Sequence, residues 1–85
     1  MQAFQNLVSD ATKAVENGKE IDITVTSGIG SGLNFSFIPE DIESDDGVLN
    51  IYMANNNIVV VDKHDVTYDV TLLGYICGNI MITID

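Results

Sequence analysis

The sequence has no arginine and no tryptophan, one cysteine, one proline and one histidine, and its only cations besides that histidine are Lys13, Lys19 and Lys63. Each scarcity excludes something. Three lysines stand against 13 Asp and Glu, giving a net charge of −10 and a pI near 4.1. Such a chain cannot displace the counterions of nucleic acid or adhere to an anionic bilayer, so direct binding to either is not expected. A lone Cys77 has no partner for an intrachain disulfide and suits a reducing cytoplasm. One His and one Cys cannot close a zinc site within the chain. Residues 1–18 lack the basic start and continuous apolar stretch of a signal peptide. The most apolar stretch, from Val70 to Ile84, is interrupted by Gly74 and Gly78 and is too short to cross a bilayer as a helix.

What is present is one small foldable domain: 85 residues, 46% hydrophobic, with a mean hydropathy of +0.21. Phe4, Leu7, Val8, Ala11 and Val15 recur at spacings of three and four, which predicts an amphipathic helix over 3–17. Asn17-Gly18 supplies the left-handed residue that ends it. After Glu20 the period changes to two. Ile21, Ile23 and Val25 alternate with polar residues, and strands are expected at 21–26, 33–38, 48–54, 58–62, 66–77 and 79–84. Ser27 to Gly32 reads as a flexible connection, 40–47 as an acidic turn, and Asn55-Asn56-Asn57 and Gly78-Asn79 as hairpin turns.

A weak internal echo joins Phe35–Asp45 to Val59–Asp69 at a constant offset of 24 residues. In each copy a strand runs into an acidic corner. These elements predict an α+β fold, with an N-terminal amphipathic helix packed on a small, strongly bent five- to six-stranded antiparallel sheet. The strand pattern admits a small barrel of the SH3-like or Sm-like kind, although no signature residue of either supports it.

The charge is unevenly placed. Residues 40–69 hold eight carboxylates against Lys63, a net of −7 out of the chain's −10. Asp41, Glu43, Asp45, Asp46, Asp62, Asp65 and Asp69 are therefore the candidate partner-binding residues, and a basic protein surface is the expected partner. Carboxylates spaced like phosphates can occupy the groove of a nucleic-acid-binding protein, so the expected function is a non-enzymatic acidic binding protein that mimics nucleic acid. In size, charge and single-domain build it is similar to the small acidic proteins with which bacteriophages block host nucleic-acid enzymes. That likeness is one of composition, and no motif carries it. The competing explanation is that Asp and Glu populate turns and keep an apolar protein soluble.

Catalytic and cofactor chemistry finds no support. An EF-hand register on Gly47 would begin at Ile42 and put Met53 where a bidentate Glu is required. A looser calcium site on Asp41, Glu43, Asp45 and Asp46 is the remaining metal alternative. The glycines at 28, 30 and 32 lack phosphate-loop spacing. Cys77 and His64 have no third group to orient them, so no enzyme is expected. The final segment Ile80-Met81-Ile82-Thr83-Ile84 reads as a flat apolar edge strand. Ile80, Ile82 and Ile84 are thus the candidate self-association residues, with a homodimer joined there or through the helix face. A small structural or assembly protein using that edge is the alternative function.

Overall fold

Helix α1 (Gln2–Asn17) turns Phe4, Leu7, Ala11 and Ala14 into the protein, so Ala14 rather than Val15 completes the buried stripe. It stops where the pattern predicts. Gly18 takes a φ of +65°, and the Lys19 amide donates back to the Ala14 carbonyl at 2.9 Å, the closing bond of a Schellman motif. The computed structural model describes residues 2–84, among which no helix is long and apolar enough to cross a membrane.

Eight strands follow, arranged as two antiparallel sheets. β1 (Ile21–Val25), β2 (Asn34–Phe37), β6 (Val66–Asp69), β7 (Gly74–Cys77) and β8 (Ile80–Ile84) form the larger sheet, in the order β2-β1-β8-β7-β6. β3 (Asp41–Asp45), β4 (Val48–Tyr52) and β5 (Ile58–Asp62) form the smaller one in the order β3-β4-β5. The chain leaves the larger sheet through a bend at buried Pro39 and returns through a 3-10 turn at Lys63–Asp65. Followed by pairing, the strands lead from β1 around to β8 and back to β1. The ladder breaks at the two crossings, so the barrel is not closed.

The α+β class and the antiparallel helix-on-sheet build agree with the sequence, while the count and the partition differ from it. One sheet of five or six strands becomes eight strands in two sheets. The segment 66–77 is two strands, because Asp69 folds its carboxylate over the Thr71 and Leu72 amides at 2.9 and 3.0 Å and starts a turn there. The acidic turn at 40–47 is strand β3 followed by a two-residue hairpin. Asp46 and Gly47 both have positive φ, +51° and +76°, the type I′ geometry that suits the twist of paired strands. The asparagine turn is a longer hairpin, with a 3-10 turn at Ala54–Asn56 and the Met53 amide bonded to the Asn57 carbonyl.

The core lies between the sheets under the helix. Ile21 and Ile23 of β1, Ile82 of β8, Tyr75 and Cys77 of β7 and Val66 of β6 face Leu49, Ile51 and Val61 of the smaller sheet. α1 packs against β3, β6 and β8, and the Tyr75 hydroxyl donates to Asp10 Oδ2 at 2.6 Å, tying helix to sheet. β8 is the largest departure from the sequence reading. It pairs with β1 from Ile84↔Ile21 to Ile80↔Val25 and with β7 from Ile82↔Tyr75 to Ile80↔Cys77, so it is an inner strand and not an edge. Ile82 is wholly buried at its centre. Ile82→Ala should cost about 3 kcal/mol. A thermal melt should read this as a loss of roughly 15 °C in Tm, whereas an edge-strand Ile82 would lose far less.

Candidate functional site

Period two decides where the acidic residues point. On β3 the half-buried Ile42 turns inward and alternates with Asp41, Glu43 and Asp45, which all face solvent on the outer face of the smaller sheet. Alternate residues of an extended strand stand about 7 Å apart along the backbone, so these three residues form one column. The pairing registers extend each position into a row across the sheet. Asp41 lies beside Tyr52 and Ile58, Glu43 beside Asn50 and Val60, and Asp45 beside Val48 and Asp62. Asp46 sits at the hairpin tip next to the last row. Five of the seven predicted residues therefore share one face or its rim: Asp41, Glu43, Asp45, Asp46 and Asp62.

The other two lie elsewhere. Asp65 closes the 3-10 turn between the sheets and Asp69 ends β6 of the larger sheet, so these two lie off the outer face that gathers the other five. Three of the seven also serve the backbone: Asp41 Oδ1 accepts from the Ile42 amide at 2.8 Å. Asp62 Oδ1 accepts from the His64 amide at 2.8 Å and caps the 3-10 turn, while Asp69 holds the turn between β6 and β7. Glu43 accepts from the Tyr52 hydroxyl at 3.0 Å, and that bond, with partial burial and the charges of Glu43 and Asp41, raises the phenol above its usual range. The looser calcium site of Asp41, Glu43, Asp45 and Asp46 finds no support in the placement of these residues. Among the described residues no group of three His, Cys, Asp or Glu is placed to hold a metal.

The same outer face holds residues the sequence did not single out. Val60 and Ile58 are exposed on β5, and Tyr52, Asn50 and Val48 are half-buried in the middle column. Alternation in Ile58-Val59-Val60-Val61 was the available signal, but four consecutive β-branched residues hide which two face out. Between α1 and the β3–β4 hairpin lies a cleft of about 370 Å³ lined by Phe4, Gln5, Val8, Ser44, Gly47 and Lys63. The Lys63 stem covers Gly47 so closely that a Cβ there would sit 2.4 Å from Lys63 Cδ.

Ile80, Ile82 and Ile84 do not form a self-association surface of the kind expected. Both neighbours of β8 are occupied, and all three side chains pack on the core side. Cys77 packs there as well, and His64 is exposed on the 3-10 turn. No protein-family model matches the chain, and no curated protein and no solved structure shows significant similarity to it. The functional reading therefore rests on the arrangement of its own residues.

Burial, aided by the charge of Asp65, pushes the Cys77 thiol up to about 11. A group whose pKa rises on folding stabilises the protein fully below its unfolded value and loses that contribution as pH climbs toward the folded one. Melting temperature should therefore decline between about pH 9 and pH 11, and Cys77→Ala, though less stable throughout, should flatten that decline. In the folded protein near neutral pH, Cys77 should react with iodoacetamide far more slowly than a free thiol.

Proposed function

We propose that the protein is a non-enzymatic acidic binding module that occupies the basic surface of a nucleic-acid-binding protein, in the manner of a nucleic-acid mimic. One observation carries this reading: the strand register turns Asp41, Glu43 and Asp45 out together, with Asp46 and Asp62 at the end of the same face. A fold that only needed solubility could scatter its charge over every turn. Here the carboxylates form a column backed by a rigid sheet, so a partner meets them without first ordering a loop. The lone, buried cysteine suits a reducing cytoplasmic setting.

The spacing sets how close the imitation is. Duplex DNA carries a charge about every 1.7 Å of its axis, against one about every 7 Å along β3. The column alone is too sparse to condense counterions as DNA does. Its attraction is ordinary screened Coulomb attraction with a range of about 8 Å at physiological salt. Salt should therefore weaken the complex, but with a shallower slope than the same partner shows for DNA.

The test compares the wild-type protein with a variant carrying Asp41→Asn, Glu43→Gln, Asp45→Asn and Asp46→Asn. Asp62 is kept because it caps the 3-10 turn. Each is used to capture proteins from nuclease-treated bacterial lysate at low salt, and the retained protein is then titrated calorimetrically. The wild type should hold a basic nucleic-acid-binding protein, with affinity falling at least roughly tenfold between low and physiological salt. The neutral variant should melt no lower than the wild type, since self-repulsion is relieved, and should lose the partner. Equal retention by both proteins, or a salt-independent affinity, would overturn the proposal.

A further inference from the structure

We infer that β2 is a pairing edge for a second copy of this chain, joining two larger sheets antiparallel about a two-fold axis. The two sheets leave four edge strands: β2 and β6 in the larger, β3 and β5 in the smaller. α1 packs against β3 and β6, and both of those strands also turn carboxylates outward. β5 ends in Asp62 and shares its outer face with the acidic column. β2 has no helix packed on it and no carboxylate of its own; it is blunted only at its two ends, by a bulge where Gly32 and Leu33 both bond Val25 and by Pro39 two residues beyond Phe37. From Ile23 to Pro39 the chain runs 17 residues without a charge, in a protein where 13 acidic residues are spread over the rest. Natural edge strands are normally blunted by charge, proline, a bulge or a covering element.

The same segment exposes apolar side chains. Leu33 is 63% exposed and Phe35 43%, with Ile29 and Ile38 also open, although the register puts Phe35 and Phe37 on the core side of the sheet beside Ile23 and Ile21. Core-facing side chains at this end outrun the smaller sheet that should cover them. The backbone is equally available. The Val25 amide donates to the Leu33 carbonyl at 2.8 Å, and alternation then directs the polar groups of Phe35 and Phe37 toward β1 and those of Asn34 and Ser36 away from it. Two β2 strands can exchange those outward bonds about an axis at Phe35 or at Ser36. Either register sets phenyl rings of the two copies against each other on one face, extending the Phe35–Phe37 stack, whose centroids are 6.2 Å apart.

Charge selects the occupant. A basic partner gains nothing at an edge without carboxylates and is drawn to the outer face of the smaller sheet instead. A second copy, itself at −10, is repelled from every acidic strand and can approach closely only where neither molecule carries charge. The carboxylate paired with β2, that of Asp22, accepts a hydrogen bond from the Ser36 hydroxyl on the opposite face of the sheet from the phenyl rings. Salt therefore acts on this contact with the opposite sign to partner capture: screening like charges strengthens the dimer. The two readings can thus fail separately.

The test is sedimentation equilibrium of the full chain across a concentration series at low and high salt. The expected result is a reversible dimer that tightens several-fold as salt is raised. Ser36→Pro removes an outward amide without touching the β1 ladder, because proline is tolerated at an edge position whose N–H faces solvent. It should weaken the dimer at least roughly thirtyfold while leaving the circular dichroism spectrum unchanged. Phe35→Lys places a charge in the contact and should do the same, whereas Val60→Lys on the β5 edge should leave the dimer intact. In the wild type, exchange of the Asn34 and Ser36 amides should slow as concentration rises, a readout that needs no variant. A monomer at every concentration and salt would overturn the inference. So would a dimer that survives Ser36→Pro and Phe35→Lys, is lost in Val60→Lys, or leaves those two amides unprotected.

Discussion

The pairing of the first strand with the last organises the molecule. β1 and β8 lie more than 50 positions apart in sequence and match over five residues, Ile21 to Val25 against Ile84 to Ile80, with an isoleucine or valine of each strand on the core side at every second pair. Bringing together the ends of so long a segment costs loop entropy, which the buried apolar rows on both strands must offset. Once formed, this ladder fixes three things. β8 becomes an inner strand between β1 and β7, β2 is pushed to the outside of the sheet, and α1, linked to β1 by only three residues, is held across the core. The acidic face, the buried thiol and the bare edge all follow from that placement.

Charge in this protein is located by strand parity more than by turn preference. On β3, Ile42 must face inward to join the core, and its neighbours at 41 and 43 are then forced outward. The same holds on β6, where Val66 is buried and Thr67 and Asp69 point away from the core. Carboxylates on the outward positions of edge strands protect against edge-to-edge pairing at little cost, since no carboxylate has to be desolvated. The column can therefore have two roles. It guards β3 whether or not a partner binds. A column that evolved only as a guard would need a single charge; three in alternation, with two more at its end, exceed that need.

Much of this architecture is legible in the residues, and the misreadings have physical causes. The helix and its glycine stop follow from a 3.6-residue period, and the strands at 21–25 and 48–52 from a period of two. β3 was hidden because Asp-Ile-Glu-Ser-Asp offers one apolar residue in five, too little for a periodicity. Asp46-Gly47 was nevertheless a strong hairpin signal between two strands, and taking the acidic run as a turn concealed it. Asp69 broke the segment 66–77 through an Asx turn, a side-chain bond that apolar content cannot show. The echo at offset 24 marks the two places where the chain changes sheets. Phe35 to Asp45 crosses at Pro39 from the larger to the smaller, and Val59 to Asp69 crosses back at the 3-10 turn. In the first copy Asp41, Glu43 and Asp45 lie on the strand after the crossing; in the second, Asp62 ends the strand before it, Asp65 sits in the turn and only Asp69 lies on the strand after it. The seven candidates are therefore not gathered at two equivalent corners.

The place of β8 could not be read from its composition, because an apolar strand of five residues serves equally as an unguarded edge or as a buried centre. What distinguishes the two cases is lateral pairing, a property of the whole sheet. The sequence does contain the complementary clue, which is the absence of charge from Ile23 to Pro39. A net charge of −10 makes any uncharged stretch informative: in a strongly repulsive molecule, surface without carboxylates is the surface on which another copy can come close. Ile80–Ile84 lacks charge because it is buried on both lateral sides, and β2 lacks it while remaining open on one. Two uncharged strands thus differ in consequence, and only the second leaves apolar side chains and outward backbone groups exposed together.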